Sequence, residues 1–458
     1  MDPFSMIPPE LRSEVLLYLG NRLDIAQLIR ASPTMLAQYC ASKLLIRRAF
    51  LKSELTDSLL QDALAIVQFP QARESDEDSI VVRHHIEKWA LAQLPDPFRQ
   101  HDCTTIDILY RLYNRLSIYI HDYITKATAV FPPRAYLGLP DLSSKRRDRV
   151  FRDQKIGLEV IRLDDLSNTE RKRLLGAFLR YEVLCKIYRL QPGVWVKPDT
   201  YDDLVAIQSY KLQGWEHEAV RCVHGYVEDL YGALFAQYAD SWLPDMTRVQ
   251  WTLLNQTISR TGLIFPNDTC FSSADYYTDM NLGIEPSISA SSLALLGLDQ
   301  IASLIMSPKD DHGRPRFLEP WLRGISNRYS RTFSFYAHPN HFLYQGSDME
   351  EPEFEHWEEC PGVYRELRRH IANPKDKDVP VEEPYARLQR KVYQQRAWVF
   401  FDDARCYPDQ NISSHFPTRK QLMRQNRLMK RAFFAPDEIA ALRRSQKWHD
   451  EYFEKFVE

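Results

Sequence analysis

Four clusters in this chain bring together residue types that can do chemistry. Asp402-Asp403 follows the aromatic run Trp398 to Phe401, and paired carboxylates can hold a metal or act as an acid pair. Adjacent carboxylates on a helix point to different faces, and the next candidates, Asp409 and His415, lie beyond Pro408 at no recognisable ligand spacing. The expectation there is a solvated helix end. His338-Pro339-Asn340-His341 carries two imidazoles at a spacing that suits zinc, yet no third or fourth ligand falls at a recognisable distance, and Pro339 makes the segment a loop. Cys222-Val223-His224 lies in a strongly periodic helical stretch, where cysteine serves as a small core hydrophobe. Asp310-Asp311-His312-Gly313-Arg314 has acid–base groups, but its composition is that of an exposed turn.

No Gly-x-Gly-x-x-Gly, Gly-x-Ser-x-Gly or phosphate-loop pattern occurs, so phosphate cradles and nucleophile elbows have no support. No catalytic residue, cofactor or metal site is therefore expected. An enzyme site of unfamiliar type would be sought first at His338, His341 and the Asp402-Asp403 pair. The seven cysteines are far apart, odd in number and free of any Cys-x-x-Cys, which points to reduced thiols in a cytoplasmic or nuclear protein. The opening lacks the basic head and apolar core of a signal peptide, and no run reaches the roughly 20 apolar residues of a membrane helix.

The 59 Lys and Arg nearly balance the 62 Asp and Glu, leaving a formal charge of −3, so no global field favours nucleic acid or an anionic membrane. Two local basic runs stand out: Arg419, Lys420, Arg424, Arg427, Lys430 and Arg431, and the cluster Lys145-Arg146-Arg147-Asp148-Arg149. Both read first as solvated faces. The acidic stretch from Asp348 to Glu359, with Phe354 and Trp357 inside it, is either an internal partner for the basic helix or a recognition loop.

The elements that must position these residues are mostly helices. Pro8 and Pro9 suit a first helical turn, and Leu11, Val15 and Leu19 follow at a spacing of four. Gly20-Asn21 ends that helix. Asp24 is placed to cap a second one carrying Ile25, Leu28 and Ile29, which Ser32-Pro33 stops. A third is expected from about Thr34 to Phe50, presenting Leu36, Tyr39, Cys40 and Leu44. A further helix carries Leu55, Leu59, Ala63 and Val67, and the polar stretch Gln71 to Ser79 reads as an acidic linker.

Beyond it, Leu109, Leu112, Tyr113, Leu116, Ile120 and Tyr123 form one amphipathic stripe. Leu174, Phe178, Tyr181, Cys185 and Tyr188 form another, opened by a capping box at Ser167 and Glu170. Val220, Val223, Val227, Leu230 and Leu234 form a third, and Tyr385, Leu388, Val392 and Val399 a fourth. Ile439, Leu442, Tyr452 and Phe456 mark a last helix. The stretches Asp240 to Ser289 and Ser307 to Val381 are expected to be irregular. The fold class expected is mainly α, with long loops.

The opening resembles the F-box family, in the divergent form common in filamentous-fungal proteins. The residues that carry the resemblance are Ile7-Pro8-Pro9-Glu10-Leu11, then Val15 to Leu19, then Asp24 to Pro33. The resemblance implies that these helices dock a Skp-type adaptor, which joins them to a cullin scaffold and a ubiquitin-transfer machine. Carried onto this sequence, the docking set is Pro8, Pro9, Leu11, Val15, Leu16, Leu19, Ile25, Leu28, Ile29 and Pro33. The domain plan that follows is a three-helix F-box-like module in residues 1–52, a helix and acidic linker in 53–80, and a large irregular helical domain in 81–458 that recognises a target protein. Weaker echoes of fungal proteins with this opening are Arg180-Tyr181-Glu182, Arg221-Cys222-Val223-His224 and Trp398 to Arg405. The alternative is a non-catalytic structural protein whose opening packs against its own body. Exposure of Leu11 and Leu19 separates the two.

Overall fold

Because proline has no N–H to leave unpaired, a helix can start on one without loss. The first helix, α1, does so and spans Pro9–Leu19. The computed structural model describes residues 2–19, 22–56, 58–70, 76–100, 102–130, 132–142, 150–151, 154–155, 160–188, 203–207, 212–238, 270–277, 289–308, 316–329, 360–371 and 384–423. The described residues are mostly helical, as the periodicity predicts. The strand content described is one antiparallel pair, β1 (Val150–Phe151) and β2 (Gln154–Lys155), with Val150 opposite Lys155.

Two compact units divide the chain. One comprises Met1–Ser117, Leu163–Ile187 and Gly193–Lys211, and the other Ile118–Arg162, Tyr188–Pro192 and Leu212–Glu458.

In the first unit, α1 is followed by α2 (Arg22–Ala31) and α3 (Pro33–Glu54). Asp24 is not the cap of α2 but sits in its first turn, because the helix already starts at Arg22. There the carboxylate still complements the partial positive charge of the helix start. Ser32 does cap α3, accepting from the Met35 N–H at 3.0 Å, with Pro33 as the first helical residue. Of the residues named on α3 from the sequence, Tyr39 packs partly on the core. Met35, Ile46 and Leu51 are buried, while Leu36 and Leu44 face water. Next come α4 (Ser58–Val67), α5 (Asp76–Ala90) and the short α6 (Pro97–Gln100). Asp76 to Ser79, expected as linker, form the first turn of α5. In α9 (Asn168–Tyr188) the capping box is present as predicted: Ser167 N–H donates to Glu170 Oε2 at 2.9 Å, and Glu170 N–H to Ser167 Oγ at 3.2 Å. Asp62 on α4 is buried, accepting from Trp89 Nε1 at 2.7 Å and lying 3.2 Å from Arg180 Nε on α9.

α7 (Cys103–Ala127) carries the predicted stripe, with Leu109, Leu112, Leu116, Ile120 and Tyr123 buried, and the short α8 (Pro132–Tyr136) follows it. In the second unit, α10 (Gly214–Tyr238) is buried around most of its circumference, from Val220 to Gln237. A helix apolar on every side belongs in the middle of a core. Packed on it are α11 (Ser273–Tyr277), α12 (Ala290–Ala294), α13 (Gly297–Ile305) and α16 (Pro384–Gln395). Gly232 makes the closest approach possible, since a Cβ there would lie 2.7 Å from Ser273 Cα.

The stretch expected to be irregular after Ser307 holds two helices, α14 (Leu318–Tyr329) and α15 (Gly362–Ile371). Each buries a short stripe, Leu318, Leu322 and Ile325 in α14 and Val363, Tyr364 and Leu367 in α15. α16 stops before Val399: Ala397 takes the left-handed conformation (φ 55°), and Trp398 N–H donates back to Tyr393 O at 3.3 Å. The helix predicted around Ile439 to Phe456 lies outside the described residues.

Candidate functional site

The three-helix opening closes on a small core of Leu16, Ile25, Met35 and Ile46, with Phe4, Val15, Leu17, Leu19, Leu28, Ile29 and Tyr39 packed partly against it. Polar contacts set how α1 lies on α3. Gln38 Nε2 donates to Ser13 Oγ at 2.8 Å and to Ser42 Oγ at 3.0 Å, and the two serine hydroxyls are 3.0 Å apart. Arg12 Nε donates to Ile7 O at 2.7 Å, tying α1 to the chain before it.

The segment Pro3–Met6 forms one 3-10 turn, anchored by Asp2. One carboxylate oxygen of Asp2 accepts from Phe4 N–H at 3.0 Å. The other accepts from Ser32 Oγ at 2.6 Å and from Thr34 N–H at 3.0 Å. The Ser32 hydroxyl, with the amide donors beside it, holds the Asp2 carboxyl well below the usual carboxylate range.

The ten docking residues named from the sequence fall into three groups. Pro8, Pro9, Leu11 and Pro33 are exposed, Leu11 by 50%. Val15, Leu19, Leu28 and Ile29 are half-buried against the core. Leu16 and Ile25 are buried within it, so their first role is to hold the module together. Sequence reasoning missed Tyr18, which is 93% exposed, and Met6, which is 84% exposed. Tyr18 was findable, because it falls seven residues after Leu11 and two helical turns place both on one face.

The C-terminal half of α3 has a different environment. Arg47 Nη1 lies 2.6 Å from Asp107 Oδ1, Arg48 Nη2 donates to Phe98 O at 2.5 Å, and Tyr113 OH donates to Glu54 Oε2 at 3.1 Å. Phe50 meets Tyr113 edge-on at 4.9 Å between ring centres.

The residues picked out for chemistry are placed as structure where they are described. Cys222 is buried, and burial pushes its thiol well above the ordinary range, the wrong direction for a nucleophile. The His224 ring pairs with Ser291 O at 3.0 Å, and burial lowers its pKa. Asp403 is exposed and folds onto its own turn, accepting from Arg405 N–H at 3.0 Å and from Arg405 Nη1 at 2.9 Å. The pair lies in turn residues past α16, not at a helix end. His415 is buried, stacks on Tyr407 and pairs with Pro408 O at 2.7 Å.

The fungal-protein echoes are likewise packing groups: Arg180 pairs with Asp62, Arg221 Nη1 lies 3.3 Å from Glu218 Oε2, and Trp398 packs against Tyr364 at 4.6 Å. Among the described residues no three metal-ligating side chains converge. His338, His341, Asp310 to Arg314, Lys145 to Arg149, Arg424 to Arg431 and the acidic stretch Asp348 to Glu359 lie outside them.

The second unit holds a buried ionic interior. Lys126 Nζ is 2.6 Å from Asp122 Oδ2, which also accepts from Tyr226 OH at 2.8 Å. Gln395 joins three groups. Its amide N–H groups donate to Asp229 Oδ2 at 2.6 Å and Phe271 O at 2.8 Å, and its Oε1 accepts from Phe271 N–H at 2.9 Å. Burial raises the Asp229 carboxyl to about 7, against the pull of Lys391, whose Nζ is 3.8 Å from Asp229 Oδ1. Arg396 donates to Ala129 O at 2.6 Å, and burial lowers its pKa to about 10. Asp122, Gln395 and Arg396 each bond to elements far away in sequence, while Lys126 pairs with Asp122 one turn away on the same helix.

Among the described residues no helix is long and apolar enough to cross a membrane. No family model, curated protein or solved structure matches this chain.

Proposed function

We propose that this chain is a non-catalytic recognition subunit of the Skp–cullin–F-box type, acting in the cytoplasm or nucleus. Its three-helix opening docks a Skp-type adaptor and its helical body holds a target protein. Ubiquitin transfer is then carried out by other subunits. This protein acts by raising the effective concentration of a target lysine near the charged carrier.

The observation that supports this reading best is the outward pair on α1. Leu11 and Tyr18 remain exposed although Leu16, Ile25, Met35 and Ile46 already fill the module's own core. Aromatic and aliphatic side chains left outside a completed core suit the anchors of a protein interface. The test is co-purification with a Skp-type adaptor, comparing the natural chain with Leu11→Asp plus Tyr18→Asp. Both positions are outside the core, so the double variant keeps its melting temperature. A complex lost in the variant supports docking through α1. No complex with the natural chain, or one the variant leaves intact, overturns it.

One observation favours a second reading, in which the opening is a structural piece bound to its own body. The C-terminal half of α3 is fastened to α6 and α7 by Arg47, Arg48 and Phe50. Under that reading no adaptor binds, and Arg47→Ala lowers stability while leaving every binding measurement unchanged.

A further inference from the structure

Two Ser-Pro dipeptides occur in this sequence, Ser32-Pro33 and Ser307-Pro308, and no Thr-Pro. Their settings differ. Ser307 is half-exposed just past the end of α13, its hydroxyl bonded to Leu304 O at 2.7 Å. Ser32 is only 2% exposed. Its hydroxyl donates to Asp2 Oδ2 at 2.6 Å and accepts from Met35 N–H at 3.0 Å. Its backbone, at φ −133° and ψ 112°, is already extended, as a residue before proline must be.

What lies on Ser32 is slight. The Asp2–Met6 segment is a single 3-10 turn, held by Asp2 and by partial packing of Phe4 on the module core. Short 3-10 turns with few buried contacts are among the first parts of a structure to open. Once that turn lifts, Ser32 is an extended residue between two helices, followed directly by the proline that a proline-directed kinase requires.

We propose that Ser32 is the phosphoacceptor of a proline-directed protein kinase, and that the Asp2–Met6 turn is the gate over it. The Ser32 Oγ would form a bond to the γ-phosphorus of a nucleoside triphosphate and lose its proton to a base on the kinase, with the nucleoside diphosphate leaving. The product releases the turn for electrostatic reasons. The hydroxyl hydrogen that held Asp2 is gone, and a phosphoryl group near two negative charges stands where the Asp2 carboxylate was bound. The same group sits at the positive end of a 22-residue helix and accepts from Met35 N–H and Thr34 N–H as readily as the hydroxyl and Asp2 did. Phosphorylation thus expels the turn without unwinding α3, and it exposes Phe4 and the part of the core it covers. This inference does not rest on adaptor docking and stands or falls separately from it.

The test treats the full-length chain with an active proline-directed kinase and ATP, with a free peptide spanning residues 26–38 as substrate control. Mass spectrometry follows phosphate at Ser32 and Ser307 over time. In the natural chain Ser32 is expected to react more slowly than Ser307. In Asp2→Ala the Ser32 rate is expected to rise about tenfold, the effect of releasing one charge-assisted hydrogen bond, with the Ser307 rate unchanged. Hydrogen exchange then reads the switch. In the phosphorylated chain the Phe4 amide loses protection and the Met35 amide keeps it, whereas general unfolding would release both.

A peptide that is not phosphorylated overturns the proposal, because the dipeptide is then no acceptor. So does a chain whose Ser32 stays unmodified in both forms while the peptide reacts. A Ser32 rate indifferent to Asp2→Ala, or a Phe4 amide still protected after phosphorylation, overturns the gate.

Discussion

In the three-helix opening, four apolar side chains close the core and large apolar ones remain outside, Leu11, Tyr18 and Met6 among them. In the second unit, the space beside α10 is filled by Tyr136, Tyr226, Asp122, Lys126, Asp229 and Gln395, all nearly without solvent. The contrast separates two uses of the same chemistry. Apolar surface that a core does not need remains available to a partner. Charge taken out of water adds little net stability, because desolvation offsets attraction, but it admits few alternative arrangements. A small module held together by packing can therefore accept changes on its outer face. An ionic interior cannot lose one member alone.

The largest effect expected is at Lys126. Replacing it by methionine leaves Asp122 buried without its cation and should cost about 3–5 kcal/mol, read as a fall in melting temperature. Adding Asp122→Leu and Tyr226→Phe should recover most of that loss, because the replaced groups then match one another. A triple variant as unstable as the single one would break the comparison, since it would mean that the charges contribute net energy.

Next comes the pair that defines the module. Leu16→Ala should cost about 2–5 kcal/mol, as a buried leucine does, and Leu11→Ala no more than about 0.5 kcal/mol. Equal costs would mean that Leu11 is not surplus to the core. A smaller effect, about 1 kcal/mol, is expected from Ser32→Ala through loss of the α3 cap, measured by denaturant titration.

The subtlest is a slope. The folded Asp229 carboxyl, at about 7, lies above its unfolded value, so between about pH 4 and 7 the folded state binds the additional proton. Its contribution to stability is therefore complete at the acid end and lost as pH rises through that window. Lys391, Glu228, Lys126 and Gln395 all face this carboxyl or act on it. In Asp229→Asn the loss should vanish, so the melting temperature of the variant relative to the natural chain climbs with pH. A difference that stays flat would mean that Asp229 is ionised throughout.

Much of the helical frame was legible because its signals are local. The capping box before α9 and the stripe on α7 each lie within one segment, and the structure places them as read. The stripe read on α10 is buried too, but on a helix buried around most of its circumference. What was missed depended on contacts distant in sequence or on stripes too short to count. Among the residues whose burial is described, α14 buries Leu318, Leu322 and Ile325, with Pro320 among them, and α15 buries Val363, Tyr364 and Leu367 beside Pro361. On α3 the sequence reading named Leu36, Tyr39, Cys40 and Leu44 but not Met35 and Ile46, the residues that meet Leu16 and Ile25. For the candidate site, the proline–leucine opening was readable, but the Asp2 clasp was not. It joins positions thirty residues apart, and neither end carries a mark of the other.

Gln395 has a consequence for how this fold tolerates change. With one side chain it gives Phe271 both hydrogen bonds that a neighbouring strand would have given its backbone, while the other amide hydrogen is spent on Asp229. A ladder fixes its register by repetition, so losing one rung leaves the alignment intact. Here a single rung holds both backbone groups of Phe271, and the Ser273 hydroxyl, donating to Glu228 Oε1 at 2.6 Å, is the next tie along the segment. Asparagine, one methylene shorter, could not reach the Phe271 backbone and Asp229 together, and the register would then rest on Ser273 and the stacking of Phe271 on Tyr136.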